Sequence, residues 1–215
     1  METNQTKFWK GDFGDQYTDR CSVSQEEWDK YYLKSYGVTK IEINRAFVSG
    51  WPEDVKILEV GCNVGLQLGG LQRMGFKNLY GIELSPYAAE KAKEITKGVN
   101  IINASGFDIP YKDNYFDVVC TNGVLIHIAP DDHKTIMSEI FRCSKKFIWG
   151  FEYYSEKFTN INYRGNENYL WKGDFAGIYM NLFPNLKMVK KQMYPYINET
   201  EKGNVDYMFL LEKRQ

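Results

Sequence analysis

The sequence predicts an α/β fold: a mostly parallel, seven-stranded sheet with helices on both faces and an antiparallel hairpin closing one edge. Three observations point there. From Val55 onward, short apolar runs of strand length alternate with helical runs. Those short runs are mostly apolar, as in strands buried between two layers of helices. Past residue 183 the alternation stops, and two strand-like runs follow one another across a polar turn.

The elements follow in order. Residues 1–20 read as loop-like, with glycines at 11 and 14. Ser24 and Glu27 in SQEE form a capping box that opens a helix through WDKYYLKSY, stopped near Gly37. A second helical stretch, 39–48, ends before Gly50 and Pro52. KILEV (56–60) is a buried strand, GLQLGGLQRM (65–74) an amphipathic helix and NLYGIEL (78–84) a strand. Ser85 caps the next helix, with Pro86 in the first turn, where its missing N–H costs nothing. VNIIN (99–103), FDVVCT (116–121) and KFIWGFE (146–152) are strands, and DDHKTIMSEIFRCS (131–144) is the helix between the last two. A loop rich in Tyr, Asn and Gly leads to a helical stretch near 174–182. LKMVKKQMY and VDYMFLLEK then close the sheet across NETEKGN.

Composition narrows the function. A formal net charge of −1 supplies no general field for nucleic acid, so none is expected as a partner. Cys21, Cys62, Cys120 and Cys143 are widely spaced and only His127 and His133 could join them, so no metal site is expected. Reduced thiols, a polar N-terminus and no apolar run of spanning length fit a soluble cytoplasmic protein without a membrane partner. The chain has 16 tyrosines; they fall largely outside the expected core, which favours a ligand pocket near them.

The most informative segment is ILEVGCNVG, residues 57–65. A strand enters a glycine-bearing turn and then a helix, which brings backbone N–H groups and a helix N-terminus towards a ligand. A dinucleotide loop would read G-x-G-x-x-G, and this one does not complete that cradle. Glu83 stands at the end of the next strand, where an acidic side chain accepts from ribose hydroxyls. A ribose without a diphosphate suggests S-adenosylmethionine (SAM) rather than a nicotinamide dinucleotide.

ILEVGCNVG, YGIELSP and IPYKDNYFDVVCTNGVLIHI together resemble the motifs of class I SAM-dependent methyltransferases over residues 55–150. The resemblance implies a Rossmann-like fold and SAM as cofactor. Glu59, Gly61, Asn63 and Gly65 would surround its methionine end and ribose. Glu83 would bind the ribose hydroxyls, Leu84 would lie against the adenine, and Ser105, Gly106 and Phe107 would meet the adenine edge. Asn63 stands where most members carry glycine; it tolerates left-handed backbone well, or else marks a lost cofactor site. TNGV (121–124) lacks the [DNS]-PP-[YFW] motif of nucleic-acid amino-methyltransferases, leaving a small molecule or sugar as methyl acceptor. His127 has two readings: a general base or hydrogen-bonding group for the methyl acceptor, or a histidine bonded to backbone. Asn122, on the same loop, is a weaker candidate and joins the cofactor set.

The ends of the chain add a narrower resemblance. QTKFWKGDFGDQYTDR (5–20), YRG (163–165) and LWKGDFA (170–176) resemble motifs of a subgroup found as pseudaminic-acid-biosynthesis-associated methylases. That subgroup implies chemistry on nonulosonic acids of bacterial surface glycans. The methyl acceptor would be such an acid, its precursor or its nucleotide-activated form, with a protein side chain or a non-catalytic SAM-binding role as alternatives. Tyr17 and Arg20 would reach the SAM carboxylate, and Trp9, Phe13 and Tyr17 would form an aromatic lid. Trp9, Glu152, Tyr153, Tyr154, Arg164, Trp171 and Lys172 make up the expected substrate-binding set, with Arg164 and Lys172 as cations for a carboxylate or phosphate. One domain, 1–215, then comprises an N-terminal lid and helices (1–50), the SAM-binding core (55–150) and the acceptor-side region with the closing strands (151–215). WKGDF occurs twice, at 9–13 and 171–175, and both copies are expected to border one cleft.

Overall fold

The computed structural model describes residues 1–214. The chain begins with four helices, α1 (Asn4–Lys10), α2 (Asp12–Cys21), α3 (Gln25–Tyr36) and α4 (Lys40–Val48). Alternation follows: β1 (Lys56–Val60), α5 (Leu66–Arg73), β2 (Asn78–Glu83), α6 (Pro86–Ile95), β3 (Asn100–Asn103), β4 (Phe116–Asn122), α7 (His133–Cys143) and β5 (Ser144–Tyr153). Two short strands, β6 (Thr159–Asn160) and β7 (Trp171–Lys172), precede α8 (Phe175–Leu182), β8 (Leu186–Pro195) and β9 (Val205–Lys213).

The main sheet has seven strands in the order β3-β2-β1-β4-β5-β9-β8. The first five are parallel, and β9 runs antiparallel between β5 and β8. The fold class and the closing hairpin are as the sequence predicts. Ile57 and Leu58 show how both faces are buried: Ile57 packs with Leu68, Leu71, Ala89 and Phe47 from α4–α6, whereas Leu58 packs with Met137, Ile140 and Tyr179 from α7 and α8. The chain builds outward from β1 through β2 to β3, then crosses back to β4. That reversal leaves a crevice at the carboxyl ends of β1 and β4, where open α/β sheets place ligands.

The loop expected over residues 1–20 is instead two helices. Thr3 caps α1 through a box with Thr6: Thr6 N donates to Thr3 Oγ1 at 3.1 Å and Thr3 N donates to Thr6 Oγ1 at 2.7 Å. A threonine replaces the usual Glu or Gln of that motif, which hides it from pattern reading. The glycines permit close approach rather than looseness. A Cβ on Gly14 would lie 1.9 Å from the Trp9 carbonyl oxygen, so α2 folds against the end of α1 only with glycine there. Tyrosine placement also differs from expectation: Tyr32, Tyr179, Tyr194, Tyr196 and Tyr207 are buried, so the excess divides between core and cavity.

The two WKGDF copies fold differently. Trp9 and Lys10 end α1, whereas Trp171 and Lys172 form β7. Only the helix start is shared: Asp12 opens α2, and Asp174 caps α8 by accepting from Gly177 N at 2.9 Å. Among the described residues, no helix is long and apolar enough to cross a membrane.

Candidate active site

The turn after β1 is a left-handed staircase: φ is 71° at Gly61, 45° at Asn63 and 77° at Gly65. Asparagine is among the few non-glycine residues that take this backbone readily, so the loop keeps its shape without the central glycine. Gly61 N and Cys62 N donate to Ile82 O at 2.9 and 3.1 Å, which pins the turn to β2. The Glu83 carboxylate then joins two loops, accepting from Asn63 N and from Ser85 N, each at 2.8 Å.

Glu59, Gly61, Asn63, Glu83, Leu84, Ser105, Gly106 and Phe107 line one chamber at this end of the sheet, with Trp9 and Tyr17 lining it from α1 and α2. Gly65 is not in the wall; it caps α5, where a Cβ would meet Thr96 at 2.7 Å. α2 is tied down by Thr18 Oγ1 donating to Asn63 Oδ1 at 3.2 Å and Tyr87 OH donating to Asp19 at 2.6 Å. α1 is held by stacking of Phe8 on Tyr169, 4.0 Å between centroids.

Two buried polar atoms of residues in this wall have no hydrogen-bond partner among the described residues: Oε2 of Glu59 and Nε1 of Trp9. An unmet buried acceptor and donor cost roughly 1–3 kcal/mol each, more where charge is involved, unless a ligand completes them. Burial pushes the Glu59 carboxyl up to about 8, against the opposing pull of Lys40. A cationic amino group bound there would return it to the ionised form.

A second chamber adjoins the first, with Tyr17, Cys21, Asn122 and His127 among the residues shared by both walls. Arg20, Tyr153 and Arg164 line it, together with Tyr31, Tyr32, Tyr36, Tyr163 and Tyr196. Arg20, expected at the cofactor, lines this chamber and not the first. Asp206 forms part of the wall from β9, 5% exposed, accepting from Tyr36 OH and, at 2.9 Å, from Tyr196 OH. With its one proton committed to Asp206, Tyr196 accepts from Tyr153 OH at 3.2 Å.

Four residues of the expected substrate set stand outside both chamber walls. Glu152 is 1% exposed and faces backbone: Oε1 accepts from Val124 N at 3.2 Å and Oε2 from Ile126 N at 3.5 Å. It holds the 3-10 turn Leu125–His127 rather than a ligand. Tyr154 packs edge-on against Tyr207, 5.3 Å between centroids. Trp171 is buried in β7, which packs on the same turn. Lys172 donates to Asn204 and lies 5.2 Å from the Tyr153 ring centre. No residue of the second WKGDF copy is among the described residues lining either chamber; its neighbour Leu170 lines the second.

His127 is bonded to backbone through one ring nitrogen, and its ring lines both chambers. Nδ1 lies 2.7 Å from the Tyr169 carbonyl oxygen, which can only accept, so Nδ1 carries the proton. Nε2 keeps its lone pair, and the ring lines both chambers, 4.6 Å from the Trp9 ring. Burial lowers its pKa to about 4, with the Tyr169 contact opposing. A folded-state pKa below the unfolded value near 6.5 means stability that is complete above about pH 6.5 and lost as pH falls towards 4. Replacing His127 with glutamine should remove that dependence, which amounts to at most about 3 kcal/mol. Urea unfolding of both forms at pH 7 and pH 4.5 measures it: the gap between them should narrow or reverse at the lower pH. Comparing the two forms cancels the opposite trend of the buried carboxyls Glu59, Glu152 and Asp206, whose pKa values are raised.

Lys40 was missed in the sequence, where a lysine after an N-capping threonine reads as a solvent-facing residue. It is fully buried, and Nζ donates to Asn122 Oδ1 at 2.9 Å while lying 3.7 Å from the Phe151 ring centre. Burial lowers its pKa to about 7, with Asp206 and Glu59 opposing.

Comparison with known proteins agrees with this geometry. Residues 58–146, under half the chain, match the methyltransferase domain family. A putative protein N5-glutamine methyltransferase of Methanocaldococcus jannaschii is 33% identical over 85 residues, 37% of this chain and 43% of its own length. The chain spans less than half the length of the curated relatives it matches. Among solved structures, magnesium protoporphyrin IX methyltransferase of Synechocystis, with bound SAM, gives a TM-score of 0.70 at 12% identity, covering 99% of both chains. The 1,6-didemethyltoxoflavin-N1-methyltransferase of Burkholderia thailandensis, with bound 1,6-didemethyltoxoflavin and S-adenosylhomocysteine, gives 0.67 at 14% identity, covering 100% of this chain and 92% of its own. The fold is the Rossmann-like fold of these enzymes.

Proposed function

We propose that the chain is a SAM-dependent methyltransferase acting on a small carbohydrate: a nonulosonic acid, its precursor or its nucleotide-activated form. The observation that carries the cofactor half is the pair of unpartnered atoms, Glu59 Oε2 and Trp9 Nε1, on residues lining a chamber that also holds Glu83 and the staircase turn. An amino acid's ammonium and carboxylate complement that acceptor and that donor. Glu59 would hold the ammonium, Glu83 the ribose hydroxyls, and Leu84 and Phe107 the adenine. When bound, SAM supplies an activated methyl group. The chain's own part is to align the methyl acceptor, exclude water and hold a proton-accepting nitrogen at the junction.

Support for a charged small acceptor comes from the second chamber. Among the described residues neither Arg20 nor Arg164 is in a salt bridge, although Arg164 meets the Tyr163 phenol, so the wall offers two guanidinium groups to a carboxylate or phosphate beside the acidic Glu27, Glu201 and Asp206. Calorimetry with SAM and S-adenosylhomocysteine tests the cofactor; absence of binding to the folded protein refutes the reading. A mass-spectrometric screen for a 14-dalton gain across nonulosonic-acid intermediates tests the acceptor. With the acceptor in hand, Arg164→Ala should leave SAM affinity unchanged and raise the acceptor KM by about 10–100-fold, as for loss of a hydrogen bond to a charged group. The reverse pattern would move Arg164 to the cofactor side.

A further inference from the structure

We propose that the methylated atom is a hydroxyl oxygen rather than an amine nitrogen, selected by the opposite hydrogen-bonding characters of Asn122 and His127 at the junction of the two chambers. The inference rests on the methyltransferase reading and adds the chemical class of the nucleophile. Lys40 is what makes Asn122 legible. Asn122 Oδ1 accepts from Lys40 Nζ at 2.9 Å, and the amide NH2 occupies the other end of the group. Asn122 Nδ2 carries two N–H donors; one is directed at the Tyr32 phenol oxygen, and the second remains for a ligand. The same logic at His127 leaves Nε2 as an acceptor with no partner of its own. The junction therefore presents one donor and one acceptor, both residues lining both chambers.

A hydroxyl satisfies this pair and still reacts. Its proton goes to His127 Nε2, one lone pair accepts from Asn122, and the second remains for attack. An amine has a single lone pair, which a hydrogen bond from Asn122 would occupy. In the transfer, an oxygen–carbon bond forms as the carbon–sulfur bond breaks and its electron pair returns to sulfur. The proton leaves the oxygen for Nε2, and the resulting imidazolium loses it to solvent. A weakly basic imidazole suffices, because the proton becomes strongly acidic once the oxygen is alkylated. Lys40 is a positioning residue in this scheme: fully buried, it fixes which end of the Asn122 amide faces the ligand.

The test uses the whole protein, 15N-labelled and saturated with S-adenosylhomocysteine, titrated with phenol and with aniline as matched hydroxyl and amine probes. Failure to bind S-adenosylhomocysteine would fell the methyltransferase reading, and this inference with it. Given binding, phenol should shift both the Asn122 side-chain amide and the His127 Nε2 resonance, and should bind at least several-fold tighter than aniline. Equal or tighter aniline binding, no shift at either group with phenol, or a protonated Nε2 at neutral pH would each overturn the proposal. Asn122→Asp keeps the size and the contact to Lys40 but removes both N–H donors. It should abolish the preference for phenol, and a preserved preference would refute the role given to Asn122.

Discussion

His127→Ala is expected to lower kcat by about 10²–10⁴-fold while leaving SAM affinity within a few-fold of the wild type. The range is what a positioned proton acceptor contributes to a reaction in which a proton must leave. Its position explains why the loss falls on turnover. The ring is held by Tyr169 through Nδ1, and its turn is clamped by Glu152, so Nε2 meets a ligand at a fixed place. Glu59, Glu83 and the staircase turn do not depend on the ring. Initial rates of S-adenosylhomocysteine formation, with calorimetry on the same preparation, separate the two quantities. A large loss of SAM affinity with unchanged kcat would reassign His127 to the cofactor wall.

Glu83→Ala is expected to weaken SAM binding by about 1.5–3 kcal/mol, roughly 10–150-fold, by removing charged hydrogen bonds to the ribose. The structure adds a second reason. Both carboxylate oxygens already hold backbone, one at Asn63 and one at Ser85, so the side chain shapes the turn as well as offering acceptors. Alanine would leave both N–H groups without that partner. Glu83→Gln separates the effects: its single carbonyl oxygen can retain one backbone contact but cannot serve both loops. It should fall between wild type and alanine. Unchanged affinity in the alanine variant would show that the ribose lies elsewhere.

Legibility varied with the range over which each residue's surroundings are set. The strands from β1 to β5 and the hairpin β8–β9 were readable, because apolar runs and turn residues report burial along the chain itself. So was the staircase turn, whose residues appear in sequence order. α1 and α2 were not, because a Thr–Thr capping box and a glycine needed for helix contact both imitate a loop. Lys40 and Asp206 lie in elements that were correctly assigned, yet their burial beside the site depends on pairing β9 against β5 and packing α3 and α4 over that face. No local pattern carries that. Glu152 illustrates the converse: its place at a strand's carboxyl end was right, but the side chain serves backbone N–H groups of the neighbouring turn.

The position of β9 also bears on the order of assembly. It follows β5 and β8 in the chain and lies between them in the sheet, supplying Asp206 to the second chamber's wall. A nascent chain can therefore pair β1 to β5 and bury much of the α7 face while the second chamber still lacks a wall. Closure waits for a strand whose β5 partners lie about sixty residues upstream, the kind of distant pairing that slows folding. Until then β5 presents an open edge. Competence for ligand should consequently appear late in refolding, after most helical signal has returned.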